Sequence, residues 1–241
     1  MPVSTYDDIA EWYRERYGVE PVMDDPFFPA VQDLIGDVAG LRLCDLGCGE
    51  GRVSRHLAAA GARVTGVDLS GRLLAMAARR EERELRGVSY VRDDAQQLTA
   101  FRDAVFDGVV CHMALMDIPE LAPTVRAVAR VLKPNGWFAF SILHPCYQTR
   151  PSGQVTAPDG SLLRTVGEYF TEGFWRSDER PGPPGRVGAY HRTLATYVNT
   201  LTGAGLGVER LGEPRVAPGP LVRTIWQEVP AVLVARCRKV S

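Results

Sequence analysis

The sequence has no excess of charge of either sign. Its 28 lysine and arginine residues nearly balance 29 aspartate and glutamate residues, which gives a formal net charge of −1. A protein that follows a phosphate backbone usually carries a clear basic excess. The charge balance therefore argues against nucleic acid as a partner.

The sequence also lacks paired cysteines. Its five cysteines are scattered, odd in number and form no C-x-x-C pair: Cys44, Cys48, Cys111, Cys146 and Cys237. This spacing indicates neither a disulfide framework nor a structural zinc site. No group of histidines, cysteines and carboxylates has metal-ligand spacing, so we expect no essential metal.

Long apolar runs are absent as well. No run approaches the ~20 residues that span a bilayer, and the first residues lack the basic and apolar regions of a signal peptide. From these absences we expect a cytoplasmic protein without a membrane partner. We expect it to be a monomer or a homodimer that acts on a small molecule.

What the sequence has is a regular alternation of short apolar runs and amphipathic segments. Strands are predicted at residues 41–46, 63–68, 88–91, 106–111, 137–143, 208–211 and 231–236, and the main helices at residues 53–60, 70–86 and 123–132. Such alternation predicts an α/β fold whose mostly parallel sheet is covered on both faces. The expected architecture is a doubly wound, seven-stranded, Rossmann-like sheet with N-terminal helices and a lid insertion after strand five.

The 241 residues are expected to form one domain with four parts. Residues 1–36 form an N-terminal helical cap, 37–144 the core, 145–189 a lid, and 190–241 the rest of the sheet. The lid is dense in glycine and proline but also rich in aromatic residues, which argues against plain disorder. We expect a hairpin near residues 162–174 and a helix at residues 192–204.

The strongest local signal is the glycine-rich segment Asp45-Leu46-Gly47-Cys48-Gly49-Glu50-Gly51, between the first strand and a helix. Glycine there lets a ligand approach the main chain and tolerates positive φ. Asp68 ends the next strand, where a carboxylate can accept hydrogen bonds from both hydroxyls of a ribose. In open α/β sheets the ligand lies at this carboxyl end of the strands.

This arrangement resembles the class I S-adenosylmethionine (SAM)-dependent methyltransferases, from about Tyr6 to Leu143. Their first motif, acidic-x-Gly-x-Gly-x-Gly, matches Asp45, Gly47, Gly49 and Gly51, and their ribose-binding acid matches Asp68. Their Gly-Asp-Ala adenine motif reads Asp93-Asp94-Ala95 here, and we favour Asp94 as the adenine partner because alanine follows it. The Phe-Asp-x-Val strand matches residues 106–109, and the Leu-Lys-Pro-x-Gly turn matches residues 132–136.

The resemblance implies SAM as the cofactor and S-adenosylhomocysteine as its product. The residues that it implies as cofactor contacts are Tyr13, Asp45, Gly47, Cys48, Gly49, Asp68, Leu69, Asp94, Ala95, Cys111 and His112. Tyr13 looks like the tyrosine that many relatives fold over the methionine end of SAM. A core tyrosine beside Trp12 is an equal alternative.

Other uses of the same architecture stay open. An NAD-dependent oxidoreductase would need a third fingerprint glycine where this sequence has Arg52. A non-methylating SAM enzyme, such as a cyclase, or a SAM-binding sensor would share the whole cofactor motif. The aromatic lid favours an enzyme over a sensor.

Methyl transfer needs mostly positioning, and a base only where the acceptor must lose a proton. Histidine titrates near neutral pH, and strand ends are where this fold places its working groups. His144, after strand five, is the first candidate catalytic residue and His112, after strand four, is the second. For each, a structural, hydrogen-bonded histidine is an equal alternative, and His191 is expected to open the helix after the lid.

Aromatic residues supply the expected substrate pocket. The candidates are Trp12, Tyr147, Tyr169, Phe174 and Trp175, with Phe170 and Trp226 as further members. Such a lining suits a small aromatic or apolar molecule. The acceptor atom stays open among oxygen, nitrogen and carbon, although the absence of an Asn-Pro-Pro-Tyr motif disfavours amide and adenine nitrogen. Natural-product methylation is an expectation that comes from the resemblance.

Overall fold

The computed structural model describes residues 5–18, 20–147, 149, 152–176, 182–215, 225 and 228–240. The strands in this part of the chain are β1 (Arg42–Leu46), β2 (Arg63–Asp68), β3 (Ser89–Arg92), β4 (Phe106–His112), β5 (Leu132–Leu143), β6 (Ser152–Thr156), β7 (Leu162–Val166), β8 (Gly173–Trp175), β9 (Ala189–His191), β10 (Leu206–Gly212) and β11 (Val232–Lys239). The predicted residue Trp226 lies outside the described residues.

Helices connect these strands. They are α1 (Ala10–Tyr17), α2 (Phe28–Ile35), α3 (Arg52–Ala59), α4 (Gly71–Glu84), α5 (Leu121–Val131), α6 (Pro183–Arg186) and α7 (Leu194–Gly203). Short 3-10 turns lie at Thr5–Ile9, Val22–Asp24, Leu115–Asp117 and Pro145–Tyr147. None of the helices in the described part combines the length and the apolar character that crossing a bilayer requires.

Seven strands form the central sheet in the order β10-β11-β5-β4-β1-β2-β3. Strands β1 to β5 pair in parallel, and β11 pairs antiparallel with both β5 and β10. The predicted α/β, seven-stranded, mostly parallel Rossmann-like fold is therefore confirmed. The strand order reverses between β1 and β4, and the carboxyl ends of these two strands open the crevice where ligands of such sheets lie.

Residues of β1 alternate between two hydrophobic cores, one on each face of the sheet. Leu43 packs on one face with Leu57 of α3, whereas Cys44 and Leu46 pack on the other with Val125 of α5. Both cores exclude water because a parallel strand is covered on both sides. This packing fixes the end of β1, from which the glycine-rich loop begins.

The start of α4 follows the predicted pattern. The Ser70 hydroxyl accepts a hydrogen bond from the backbone N–H of Leu73 at 3.1 Å, as an N-cap residue does. Such a cap stabilises a helix by about 1 kcal/mol relative to alanine. The cap places the first turn of α4 directly after Asp68 at the end of β2.

The predicted hairpin at residues 162–174 is wrong. Strand β6 pairs with β7, and β8 pairs with β9, so two separate ribbons form in place of the predicted hairpin. The turn between β6 and β7 contains Pro158-Asp159-Gly160, where Gly160 has φ of 84° and Asp159 accepts the N–H of Ser161. Proline, aspartate and glycine in this order favour a turn, and this signal could have located the hairpin.

The segment between β9 and α7 also differs from the prediction. Strand β9 begins at Ala189, the last residue of the expected lid, and runs to His191. Helix α7 begins at Leu194, and the Thr193 hydroxyl caps it by accepting the N–H of Thr196 at 3.1 Å. His191 therefore closes a ribbon instead of opening a helix, because the capping hydroxyl lies two residues later.

Candidate cofactor and active site

The glycine-rich loop leaves β1 in a conformation that ordinary residues rarely adopt. Gly47 and Gly49 have φ of 72° and 55°. The N–H groups of Gly47 and Cys48 both donate to the carbonyl of Val67 in β2, at 2.8 and 3.0 Å. These bonds hold the loop against the neighbouring strand end and fix the direction in which it enters α3.

The two glycines face different surroundings. A Cβ added at Gly47 would lie 2.5 Å from the Cβ of Ala114, so the loop after β4 packs directly on this glycine. A Cβ added at Gly49 would meet nothing nearer than Leu73, at 4.0 Å. Gly47 therefore permits close packing of two loops, and Gly49 leaves open space where a ligand can approach the main chain.

Asp68 holds the end of β2 against the glycine-rich loop. Its Oδ2 accepts the N–H of Gly49 at 2.8 Å, and its Oδ1 accepts the N–H of Ser70 at 2.8 Å. Burial raises the pKa of Asp68, and these backbone donors oppose the rise. Each carboxylate oxygen has a further lone pair, so both can also accept hydroxyl donors. This geometry fits the two ribose hydroxyls of SAM.

Asp45 has an internal partner. It is almost fully buried, and its Oδ2 accepts the hydroxyl of Ser54 at 2.6 Å. Burial raises the pKa of Asp45 to about 6, although the hydrogen bond from Ser54 opposes the rise. This acid joins β1 to α3 beneath the loop, and its cofactor contact stays a prediction.

The structure separates the two aspartates of the adenine motif. Asp93 uses both oxygens inside its own loop, with Oδ1 accepting the N–H of Asp94 and Oδ2 that of Ala100, each at 2.8 Å. Asp94 accepts from the backbone and the side-chain amide of Gln96 at 2.9 and 3.0 Å. Only a side-chain amide reaches Oδ2 of Asp94, whereas backbone N–H groups hold both oxygens of Asp93, and this difference supports Asp94 as the adenine partner.

Residues at the N-terminus cross the crevice between the ends of β2 and β4. The Tyr6 hydroxyl donates to Oδ2 of Asp117 at 2.8 Å, and Asp7 accepts from the hydroxyl of Ser70 at 2.6 Å. The Tyr13 ring packs edge-to-face on Tyr6, with ring centroids 5.3 Å apart. Burial raises the pKa of Tyr13. The position agrees with Tyr13 as a cover of the site, but its cofactor contact stays a prediction.

Cys111 and His112 end β4 on opposite faces. The Cys111 side chain is fully buried in a hydrophobic core, so only its backbone is left for a cofactor contact. His112 Nδ1 lies 2.8 Å from the Ser141 hydroxyl, and its buried Nε2 has no hydrogen-bond partner among the described residues. That nitrogen lies 3.6 Å from Oδ2 of Asp25.

Asp25 is a site residue that the sequence reasoning missed. Burial would raise its pKa, but the neighbouring His112, the N–H of Phe27 and the guanidinium of Arg52 outweigh burial and lower it to about 2. Asp25 lies in an irregular connection between the Val22–Asp24 turn and α2, and no motif marks it. Only the fold brings it to the end of β4.

Both ring nitrogens of His144 are engaged. Nδ1 accepts the N–H of Cys146 at 3.2 Å, so Nε2 carries the proton and faces Oε1 of Glu213 at 2.9 Å. Burial lowers the pKa of His144, although Glu213 opposes this. These contacts fit the structural alternative, and the catalytic role predicted for His144 stays a prediction.

Replacing His144 with alanine is expected to lower the free energy of unfolding by about 1–3 kcal/mol, because the hydrogen bonds to Cys146 and to the charged Glu213 are lost. Denaturant unfolding followed by circular dichroism measures this loss. Replacing the exposed Asp37 with alanine is a control with little expected change. A separate turnover assay on the folded variant decides the chemistry, since unchanged turnover would remove His144 from the reaction.

The predicted aromatic residues fall into separate groups. Trp12 packs under the guanidinium of Arg186, Tyr147 is buried under Arg164, and the Tyr169 hydroxyl accepts the N–H of Leu194. Phe174 and Trp175 line a cavity of about 140 Å³ beside the β8–β9 ribbon, together with Glu168, Thr171, Glu172, Gly173 and His191. The described contacts do not gather all five predicted residues in one pocket, and their substrate contacts stay predictions.

The chain is similar to known proteins in both sequence and fold. Residues 44–140 match the methyltransferase domain family. The chain is 37% identical to the ubiquinone biosynthesis O-methyltransferase of Bordetella pertussis over 114 residues, 47% of this chain and 47% of that protein. It is 36% identical to the enzyme of the same name from Thiobacillus denitrificans over 144 residues, 59% of this chain and 62% of that protein.

A solved structure covers nearly all of the chain. It is a SAM-dependent methyltransferase from Mesorhizobium loti, with a TM-score of 0.80 and 29% identity, covering 90% of this chain and 99% of that one. The sheet and the loop at its switch point thus define a Rossmann-like SAM-binding protein. Residues 44–140 are thus similar to a methyltransferase domain, and the chain shares its fold with a SAM-dependent methyltransferase. It spans about half the length of the curated relatives that it matches.

Proposed function

We propose that this chain transfers the methyl group of SAM to an oxygen atom of a small molecule. The observation that carries the proposal is the carboxylate of Asp68, fixed by the N–H groups of Gly49 and Ser70 beside open space above Gly49. These contacts support a ribose-binding carboxylate beside backbone that no side chain covers. The curated relatives are named as O-methyltransferases, and this name supports oxygen over nitrogen and carbon.

The residues present would divide the cofactor between them. Asp68 would hold the ribose hydroxyls, Asp94 the adenine amino group and Leu69 the adenine face, while the loop from Gly47 to Gly49 would face the methionine end. When bound, SAM supplies a methyl carbon activated by its sulfonium. The chain itself orients the acceptor and excludes water, and such positioning contributes about 7–11 kcal/mol in well-oriented cases.

The N-terminal turn supports the exclusion of water. Tyr6 and Asp7 connect the turn Thr5–Ile9 to the loop after β4 and to the start of α4 by hydrogen bonds. The ring of Tyr13 packs edge-to-face on Tyr6. A closed site of this kind strengthens the electrostatic interactions inside it, because fewer water molecules screen the charges.

The acceptor is proposed to be a small aromatic or apolar molecule with a hydroxyl group. The support is the pair Phe174 and Trp175, which line one cavity, while substrate contacts of Trp12, Tyr147 and Tyr169 stay predictions. Phe174 is 58% exposed, so it can contact a ligand without rearrangement of the core. A natural product is one such molecule.

Isothermal titration calorimetry with SAM, S-adenosylhomocysteine and NAD tests the cofactor part of the proposal. We expect the first two to bind and NAD not to bind. Binding of NAD alone would overturn the assignment. A mass-shift screen with hydroxylated aromatic probes then tests the acceptor, where a gain of one methyl group is the expected result.

A further inference from the structure

The loop after β4 is held in place by a buried arginine. The guanidinium of Arg192 donates to the carbonyl of Ile118 at 2.7 Å and to that of Pro119 at 2.6 Å. These bonds fix the chain just beyond Asp117, which ends the 3-10 turn Leu115–Asp117. The same loop packs through Ala114 on Gly47, so Asp117 is fixed relative to the glycine-rich loop.

The carboxyl group of Asp117 has one engaged oxygen and one free oxygen. Oδ2 accepts the hydroxyl of Tyr6 at 2.8 Å, whereas Oδ1 has no hydrogen-bond partner among the described residues. Asp117 is only partly buried, and Oδ1 is not fully enclosed by protein atoms. Oδ1 is therefore the oxygen of this carboxyl group that is left for a ligand.

The surroundings of Asp117 make its carboxylate a stronger base than usual. Burial raises its pKa to about 7, the hydrogen bond from Tyr6 opposes the rise, the charge of Asp68 adds to it, and Arg192 opposes it. The other titratable groups that interact with this carboxylate are Tyr13, Tyr197 and Cys111. A proton acceptor works best when its pKa lies near the working pH.

The two candidate histidines lack such a free atom. His144 has hydrogen-bond partners at both ring nitrogens. The unpaired Nε2 of His112 is enclosed by protein atoms and faces the carboxylate of Asp25. A substrate could reach either nitrogen only after side chains had moved, whereas Oδ1 of Asp117 has no hydrogen-bond partner to displace among the described residues.

We propose that Asp117 is a catalytic residue that accepts the proton of the substrate hydroxyl, and that Tyr6 positions it. This inference rests on the proposed function. The acceptor oxygen bonds to the methyl carbon while the carbon–sulfur bond breaks and its electron pair stays on sulfur. The hydroxyl proton passes to Oδ1 of Asp117, which later releases it to solvent.

The same arrangement defines the substrate class more narrowly. Asp68 and Asp117 place two carboxylates along the crevice, and an anionic group near them would be repelled. The acceptor hydroxyl is therefore neutral when it binds, and loses its proton only during transfer. Phenols and catechols with no carboxylate beside the hydroxyl fit this description.

The test compares wild type with Asp117→Asn and Tyr6→Phe, using catechol as the probe acceptor. We expect Asp117→Asn to lower kcat by about 100-fold or more while the affinity for S-adenosylhomocysteine stays within threefold. Tyr6→Phe removes a hydrogen bond that lowers the pKa of Asp117, so its kcat profile should rise at higher pH than that of wild type. Asp37→Asn, at an exposed carboxylate, is the matched control with no expected change.

A measurement without substrate checks the carboxyl group itself. A raised pKa makes the folded state bind more protons than the unfolded state between about pH 4 and 7. Wild type should therefore lose stability relative to Asp117→Asn as the pH rises through this window, and denaturant unfolding at several pH values measures the difference. A difference that does not vary with pH would overturn the proposal.

The outcomes distinguish a failure of the proposed function from a failure of the role of Asp117. If wild type fails to bind S-adenosylhomocysteine, the proposed function fails. If wild type binds it and methylates catechol, but Asp117→Asn turns over normally, only the role of Asp117 fails. If wild type binds it but methylates neither catechol nor other hydroxylated probes, the hydroxyl acceptor is wrong and the role of Asp117 is overturned with it.

Discussion

Replacing Gly47 with alanine is expected to weaken the binding of S-adenosylhomocysteine by about 100-fold, equivalent to about 2.8 kcal/mol. The new Cβ would lie 2.5 Å from the Cβ of Ala114, closer than real contacts allow. The loop would have to move, and it carries the N–H of Gly49 that fixes Asp68. Calorimetry measures the affinity, and denaturant unfolding measures the accompanying loss of stability.

Gly40 offers a matched control for this substitution. It has nearly the same backbone conformation, with φ of 74° against 72° at Gly47, but an added Cβ would meet nothing within 4 Å. Alanine at either position costs about 1–2 kcal/mol through the left-handed backbone alone. The clash adds about 1–3 kcal/mol only at Gly47. Equal stability losses, with cofactor affinity retained in both variants, would contradict the packing argument.

Replacing Asp68 with alanine is the second large expected effect, a loss of about tenfold or more in affinity for S-adenosylhomocysteine. Hydrogen bonds to a charged group contribute about 1.5–3 kcal/mol each, and the ribose would lose its acceptors. The loop would also lose the bond between Asp68 and the N–H of Gly49. Asp68→Asn, which keeps one oxygen acceptor, should fall between wild type and the alanine variant.

Asp37→Ala is the control for Asp68→Ala. Asp37 also accepts the backbone N–H of the residue two positions later, at 3.0 Å from Ala39, but it lies exposed before β1. Its loss should change stability slightly and cofactor affinity not at all. If Asp68→Ala bound S-adenosylhomocysteine as tightly as the control, the ribose would have to be held elsewhere.

The cofactor half of the site was largely predictable because its residues are close in sequence. The glycine-rich loop and Asp68 follow two successive strands, and parallel strands place their carboxyl ends at one edge. The surroundings of the end of β4 were not predictable in the same way. Asp25 and Tyr6 approach the end of β4 from the N-terminal segment, and no periodicity or motif marks such a contact.

The histidines illustrate this limit. Sequence alone places His112 and His144 at strand ends, and it favours His144 as the first catalytic candidate and His112 as the second. The structure distinguishes them through partners distant in sequence, since Glu213 and Cys146 engage His144 and Asp25 faces His112. Whether a ring nitrogen is free depends on such partners. They cannot be predicted from the type of a residue or from its position along the chain.

The sequence by itself determined the sheet, the glycine-rich loop and the carboxylate at the end of β2, because hydrophobic alternation, glycine and capping residues act over a few neighbouring positions. The tertiary structure alone decided which polar atoms have no hydrogen-bond partner among the described residues, as at Oδ1 of Asp117, and which are engaged, as in His144. The physical reason is that burial and hydrogen bonding depend on neighbours in space, and distant segments of the chain supply those neighbours.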